Sequence, residues 1–453
     1  MGVEPCILYM SGTLPTRSET FVYREIFALR ALGLPIRTAS VHAPDRDLGD
    51  PQLARLAEET QSVYGPGAAA LLRDAAFELL SHPRRAAATI GQGLLDALCS
   101  ADVPLRRRPK VLFQCLAALA LARRVRSWNV RHIHAHMAHV PATIAMYTAR
   151  QLSVRFSFTG HANDLFPNRT LLREKLQRSA FTACISHWHR GFYRGILPRD
   201  DQHRPIVRCG VDTAALRPAD RVDSATLRVL TVCRLVPKKG IDVLIEALAR
   251  LPAEAPFECT IVGDGPQRAA LEALVAARGQ QQRTRFLGQR SNRDVLELMR
   301  QADLFVLPCR VAGSGDRDGI PVVLMEAMAA GLCVISGDLP AIRELVQHDE
   351  TGLLVAPEDV SALSAALLQI AGDAALRARL RAAGRRRIEQ EFDLGLNAGR
   401  IAQALQNACG LTPDAVGDPA GLMTDAGRSP RRASSGDDGV HHATNSVTGA
   451  RVR

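Results

Sequence analysis

Aromatic side chains are scarce in this chain, at 4% of 453 residues. A protein that holds single-stranded nucleic acid by base stacking needs several such platforms, so that class is disfavoured. The ten cysteines are scattered singly, with no Cys-x-x-Cys and no zinc-ligand spacing. A chain of this size needs no disulfide staples, so reduced thiols in a cytoplasmic setting are expected. The most apolar run, Val111 to Ala122, is too short for a bilayer, which takes about 20 residues to cross. The opening Met1-Gly-Val-Glu-Pro-Cys-Ile lacks the charged and long apolar regions of a secretory leader. Any membrane contact is therefore expected to be peripheral, at the inner face.

Acidic residues are missing from one long stretch. Between Val103 and Asn163 there is no Asp or Glu, against ten Lys or Arg: Arg106, Arg107, Arg108, Lys110, Arg123, Arg124, Arg126, Arg131, Arg150 and Arg155. In a chain of net charge +11 this stretch reads either as a solvated basic face or as a patch facing anionic lipid or a phosphorylated acceptor. No DNA-reading motif accompanies it, and nucleic acid is not an expected partner.

The rest of the composition is that of an ordinary globular chain, 47% hydrophobic and 23% charged. Its length suggests two or three domains at about 150 residues each. Short apolar runs alternate with helical periodicity. In the first half, strands are predicted at Cys6–Met10, Ile36–Val41, His132–His136, Arg155–Thr159, Thr182–Ile185 and Ile206–Cys209. In the second half they are predicted at Arg228–Cys233, Glu258–Val262, Arg285–Leu287, Leu304–Leu307 and Cys333–Ser336. Between them lie amphipathic stretches such as Phe21–Leu32, stopped by Gly33, and Ile241–Leu251. Such alternation predicts an α/β protein of two Rossmann-like, doubly wound parallel-sheet domains facing a cleft. The expected division is an N-terminal domain over 1–210, a linker over 211–224, a second domain over 225–390 and a helix over 391–409. A tail over 410–453, rich in Gly, Pro, Ser and charge, is expected to be disordered.

Open α/β sheets bind ligands beyond the carboxyl ends of their strands, and the motifs fall there. Val232-Cys-Arg-Leu-Val-Pro-Lys-Lys-Gly240 places Arg234 and Lys239 on a loop that opens a helix, where two cations suit a diphosphate; alone it is also a plain basic loop. In Ile261-Val-Gly-Asp-Gly-Pro266, Gly263 and Gly265 either admit a ligand to the backbone or simply make a tight turn. Gly313-Ser-Gly-Asp-Arg-Asp-Gly-Ile-Pro-Val-Val-Leu-Met-Glu-Ala-Met-Ala-Ala-Gly331 sets Asp318 in a loop and Glu326 on a helix that begins near Pro321, a favoured N1 residue. Free amides of that first turn can meet phosphate oxygens while the carboxylates address hydroxyls.

Taken together with Phe286-Leu-Gly, these motifs resemble family four of the retaining glycosyltransferases, whose GT-B architecture holds a nucleotide sugar between two Rossmann-like domains. Leu14-Pro-Thr-Arg-Ser-Glu-Thr-Phe-Val-Tyr-Arg-Glu, His134-Ala-His136 and Ser157-Phe-Thr-Gly-His-Ala-Asn-Asp164 are similar to members that build bacterial exopolysaccharides of the colanic-acid type. The resemblance covers roughly residues 6 to 408. It implies that Arg234 and Lys239 neutralise the donor diphosphate, with Gly263, Gly265, Gly319, Ile320, Val322 and Val323 around the donor. Glu326 would grip the ribose, Asp318 would stand beside the donor sugar, and His161 would face it from the other domain. Gly12 would bring backbone close to the phosphates and acceptor. The implied function is retaining transfer from a UDP- or GDP-linked sugar to a saccharide or lipid-linked acceptor in cell-envelope glycan synthesis. Asp at 318 is one methylene shorter than the family's usual Glu, and Pro321 has no amide where many relatives have Gly. Both leave sugar choice open.

Asp45-Arg-Asp47 and Asp316-Arg-Asp318 spell a tripeptide that can hold a divalent cation, and His132, His134 and His136 would share one face of a strand. Because Arg and Lys can do a cation's work here, no metal and no other cofactor is expected. A sugar-nucleotide epimerase and a non-catalytic sugar-nucleotide-binding protein are the competing classes.

Overall fold

The computed structural model describes residues 4–17, 19–46, 48–161, 165, 169–218, 226–252 and 255–410. The expected tail from 411 onward, much of the expected linker, and Asp47, Asn163 and Asp164 of the motifs lie outside the described residues.

Two six-stranded, all-parallel sheets form the scaffold. The first contains β1 (Cys6–Ser11), β2 (Ile36–Ser40), β3 (Gln61–Ser62), β4 (Val130–His136), β5 (Arg155–Gly160) and β6 (Thr182–Cys184), ordered β3-β2-β1-β4-β5-β6. The second contains β7 (Leu227–Val232), β8 (Phe257–Val262), β9 (Thr284–Gly288), β10 (Leu304–Leu307), β11 (Cys333–Gly337) and β12 (Leu353–Val355), ordered β12-β11-β10-β7-β8-β9. Counted within each sheet, the two orders are the same, the 3-2-1-4-5-6 of a dinucleotide-type doubly wound fold. Helices cover both faces, so central strands such as β1 and β10 are buried along their whole length, which is why they read as unbroken apolar runs.

The chain departs from the expected elements at its short or irregular pieces. β3 and β12, two and three residues long, show no periodicity of their own. Ile206–Cys209 is not a strand: Ile206 makes one isolated bridge to Cys184, and the chain then leaves the sheet. β6 stops at Cys184 because Ser186 turns to cap the next helix, accepting from the His189 amide.

The last helix, Leu394–Cys409, crosses back to the first sheet. Ile401, Ala402 and Leu405 are buried in one cluster with Ile7, Tyr9, Val22 and Ile26. The two chain segments that pass between the domains are tied to each other. Val211 and Asp393 form a parallel bridge, with Val211 N donating to Phe392 O at 2.9 Å and Leu394 N to Val211 O at 3.0 Å. A Cβ on Gly210 would sit 2.4 Å from Leu394 Cα, so only glycine lets the two strands touch.

Candidate active site

Both sheets reverse winding direction between their first and fourth strands, β1/β4 and β7/β10, and open α/β sheets take ligands at the carboxyl ends beside such a switch point. In the second domain that end carries the loops after β7 and β10, which are locked together. Gly240 has φ +65°, and a Cβ there would lie 2.2 Å from Pro308 O. Arg310 N donates to Lys238 O at 2.9 Å. The side chains complete the junction: Lys239 Nζ lies 2.8 Å from Asp318 Oδ2, while Lys238 Nζ lies 3.2 Å from Asp316 and 3.5 Å from Asp318.

Burial alone would push the Asp318 carboxyl up, but the Lys239 and Lys238 ammonium groups outweigh it and hold it below the usual carboxylate range. Burial would likewise lower Lys239, and the Asp318 carboxylate reverses this and raises it above the usual lysine range. Cys309 Sγ donates to Asp318 Oδ2 at 3.3 Å. Asp318 therefore faces the lysine pair across the two loops, a partnership between residues 79 apart that the motifs did not indicate. Lys238 and Lys239 also put ammonium groups on both acids of Asp316-Arg-Asp318, where a divalent cation would have to bind. In the other tripeptide, Asp45 accepts from Thr16 Oγ1 at 2.7 Å.

Arg234 is exposed at the start of the same loop. The close approach that Gly263 and Gly265 permit is to that loop's backbone. Cβ atoms there would lie 1.8 Å from Cys233 O and 2.4 Å from Leu235 O. Their missing side chains thus seat the loop that carries Arg234, a role the sequence reading did not assign to them. The helix of the third motif spans Val322–Ala329, and Pro321 is its N-cap (φ −65°, ψ 123°) rather than its first residue. The first-turn amides, which lack intrahelical partners in any helix, are those of Val322 and Val323. Ile320, two residues before the helix, is buried.

Glu326 is buried on that helix, and Arg24 Nη1, from the first domain's helix Thr20–Ala31, meets its Oε1 at 2.8 Å. The domains also touch at Gly319, where a Cβ would fall 3.2 Å from His189 Cε1 and 3.3 Å from His161 O, and at Glu344, which pairs with Arg208 at 3.0 Å. Beside Gly12 there is open space; a Cβ there would meet nothing within 4 Å.

His161 ends a buried chain of polar groups. Its Nε2 is 3.0 Å from His136 Nδ1, and His136 Nε2 is 3.0 Å from Glu25 Oε1 and 3.3 Å from Tyr9 Oη. Tyr9 Oη also donates to Glu25. A Glu25 carboxylate accepts from His136 Nε2–H, which leaves Nδ1 to accept from His161 Nε2–H. Burial, reinforced by the charge His136 would carry, lowers His161 well below the usual histidine range. The ring stacks on His136 and tilts against Phe21, with centroids 5.3 and 4.5 Å away, and the main-chain carbonyl accepts from His189 Nε2 at 2.5 Å.

The strand face His132, His134, His136 exists as expected, but it is a hydrogen-bond ladder. His132 Nε2 and His134 Nδ1 each lie 2.7 Å from Ser157 Oγ, and His134 Nε2 lies 3.1 Å from Thr159 Oγ1. Glu25, His134 and His136 do gather their ligand atoms within 4.8 Å. Sequence proximity gave these histidines no carboxylate, whereas the fold supplies Glu25. All three have other partners. Tyr9 lies outside every motif, and Arg24 and Glu25, the last two residues of the motif that begins at Leu14, had been given no role. Glu25 had left one sign: it interrupts the buried stripe Val22, Ile26, Leu29 of its helix, a place where an unpaired acid is costly.

Residues 212–387 match the family described as glycosyl transferases group 1. The C-terminal half carries a group 1 glycosyl transferase domain. The chain is similar to the amylovoran biosynthesis glycosyltransferase AmsK of Erwinia amylovora, at 36% identity over 181 residues, 40% of this chain and 44% of that protein. It is 34% identical over 206 residues to the putative colanic acid biosynthesis glycosyltransferase WcaL of Escherichia coli, covering 44% and 50% of the two chains. A GDP-mannose-dependent monoacylated alpha-(1-6)-phosphatidylinositol monomannoside mannosyltransferase of Corynebacterium glutamicum is 34% identical over 211 residues, covering 44% and 55%. The chain thus spans about half the length of these curated relatives.

Solved structures extend the likeness to the first domain. Anabaena HepE, crystallised with UDP and glucose, superposes with a TM-score of 0.65 at 16% identity, over 88% of this chain and 99% of its own. Sucrose-phosphate synthase of Thermosynechococcus elongatus gives 0.67 at 18%, over 90% and 100%. At such identities the shared property is the fold: the group 1 domain and the first Rossmann-like domain together make a GT-B architecture.

Proposed function

We propose that this chain is a retaining glycosyltransferase that moves a sugar from a UDP- or GDP-linked donor to a saccharide acceptor, lipid-linked, in exopolysaccharide or other cell-envelope glycan synthesis. The observation that carries the reading is that Lys239, paired with Asp318, and Glu326, paired with Arg24 of the first domain, flank the helix start at Val322 and Val323. The names of the relatives, two of them in exopolysaccharide biosynthesis and one a GDP-mannose-dependent mannosyltransferase, support the same class of chemistry.

In this reading the donor diphosphate enters between the β7 and β10 loops. It takes Lys239 over from Asp318 and gains exposed Arg234 and the first-turn amides. As the bond from the anomeric carbon to the β-phosphate oxygen breaks, negative charge gathers on that phosphate, and these fixed donors stabilise it. The acceptor hydroxyl attacks from the face the phosphate leaves, and its proton passes to the departing phosphate oxygen. Glu326 holds the ribose once Arg24 yields one carboxylate oxygen, and Asp318, released from Lys239, is turned toward the sugar. His161 faces the donor from the other domain, its ring fixed by His136 and Glu25. Lysines and arginine carry the charge that a metal would otherwise balance, so no cofactor enters the scheme, and chelator should leave turnover unchanged.

The test is transfer from labelled donors. Lys239→Ala and Glu326→Ala should abolish it while circular dichroism shows an intact fold, and near-normal activity in both would overturn the assignment. A thermal-shift panel of UDP-, GDP- and ADP-sugars identifies the donor, since a bound donor raises stability by mass action.

A further inference from the structure

Three helices, Ala68–Ser81, Pro83–Cys99 and Arg108–Val125, fill the connection from β3 to β4. Their inward faces build the first domain's core, through Leu71, Ala75, Ala86, Ala97 and Cys115. Their outward faces are apolar as well. Among the described residues twelve large apolar side chains are exposed, and ten of them fall between Leu72 and Phe113. Leu80 is 80% exposed, Leu105 75%, Leu98 59% and Leu95 57%. Scattered exposed leucines need no explanation, but a concentration of this kind marks an interaction surface.

The exposed charges among these helices are basic: Arg84, Arg85, Arg106 and Lys110, with Arg73 beside them held by Asp74. The acids of the same helices are paired: Asp74 with Arg124 and also with Arg73, Glu78 with Arg126 and Asp96 with Arg178. This redraws the basic stretch noted in the sequence. Arg124 and Arg126 are spent inside the fold on those acids, and Arg123 lies over the Phe77 ring at 4.2 Å. The available charge is instead at the start of that stretch and on the helix before it, at Arg84 and Arg85.

We infer that the outward faces of these helices, with the turn around Leu105, form a docking surface for an anionic lipid bilayer. Leucines would enter the acyl boundary and arginines would meet the headgroup phosphates. The inference rests on the proposed lipid-linked acceptor, which it would bring to the proposed site. A second copy of this chain fits less well, because a twofold interface sets the patch against itself and opposes its own arginines. No described helix is long and apolar enough to cross a membrane, so the contact is with the surface.

The experiment is co-sedimentation of the full chain with phosphatidylcholine vesicles, with and without phosphatidylglycerol, in the absence of donor. The chain should bind the anionic vesicles and be released by salt. A Leu80→Ser/Leu95→Ser/Leu98→Ser variant, altered only at exposed positions, should lose roughly a hundredfold in vesicle affinity with an unchanged melting curve. Arg84→Glu/Arg85→Glu should lose the preference for anionic lipid. Equal binding by wild type and the leucine variant, or indifference to phosphatidylglycerol, would overturn the surface. So would light scattering that shows a dimer dissolved by the leucine substitutions while vesicle binding persists. A chain that ignores vesicles yet transfers sugar to a soluble acceptor refutes this surface alone. Vesicle binding without transfer refutes the proposed activity instead.

Discussion

Replacing Asp318 by Ala should destabilise the protein and at the same time enlarge its response to a nucleoside diphosphate. The carboxylate and the Lys239 ammonium are 12% and 13% exposed and 2.8 Å apart. Breaking a buried pair by removing one partner costs about 3–5 kcal/mol. Here the remaining exposure lets water reach the orphaned ammonium, which argues for about 2–4 kcal/mol. Asp316 still holds Lys238, 3.2 Å away, so the cost falls mainly on Lys239. At roughly 2–4 °C per kcal/mol the melting point should drop by about 5–10 °C. Saturating UDP or GDP at about a hundred times Kd stabilises either protein by about 2.7 kcal/mol. The variant, at equal ligand concentration, should bind more tightly and shift further, since its phosphate site carries no competing carboxylate.

The effect of pH follows from the same pair. Asp318 is lowered on folding, so its contribution is present above the unfolded value of about 3.9 and fades as pH falls through the still lower folded value. Lys239 is raised, so its contribution is present below about 10.4 and fades as pH rises past that through the folded value. The difference in melting point between wild type and variant should therefore stay flat from about pH 5 to about pH 9 and shrink outside that window. An unchanged melting point, or a ligand shift no larger than wild type, would refute the account of Asp318 as a stand-in for the diphosphate.

Arg24→Ala/Glu344→Ala removes two ion pairs that join the domains, at Glu326 and at Arg208; solution scattering of the donor-free protein should show a larger radius of gyration, and an unchanged radius would deny the clamp. Glu25→Gln keeps the shape of the buried chain but offers His136 an amide. It should lower kcat by about tenfold or more with little change in donor affinity by titration, whereas equal losses in both would make Glu25 merely structural. Gly263→Ala puts a Cβ where Cys233 O stands, 1.8 Å away, at a φ of +124°. A loss of more than about 3 kcal/mol in chemical denaturation is expected, and a neutral result would mean the loop after β7 is not seated as described.

The sequence makes the central strands of both sheets legible because a strand buried on both faces is an unbroken apolar run, as in Leu304–Leu307. The edge strands β3 and β12 are too short to carry a period. Ile206–Cys209 has strand composition, yet only Ile206 finds a partner. The candidate donor-side residues could be nominated because each stands in a local motif after a strand. Their pairings were not, because Lys239 with Asp318 and Arg24 with Glu326 join positions 79 and 302 apart, and no local pattern encodes a tertiary ion pair. His161 was nominated from its motif, but its link to Glu25 runs through three elements that only the fold assembles.

Because the helix Leu394–Cys409 packs against Ile7, Tyr9 and Val22, the first domain is built from both ends of the described chain, while the second is one continuous piece between Val211 and Asp393. During synthesis the second domain has all its strands before the first has its last layer. The sheet that holds Tyr9 and the Glu25–His136–His161 chain must wait, with that flank uncovered, until residue 409 has emerged. A fragment cut at 210 would lack that layer permanently. The halves are thus unequal as folding units: the second domain is the one to attempt in isolation, and truncation near the last helix should damage the opposite half of the molecule.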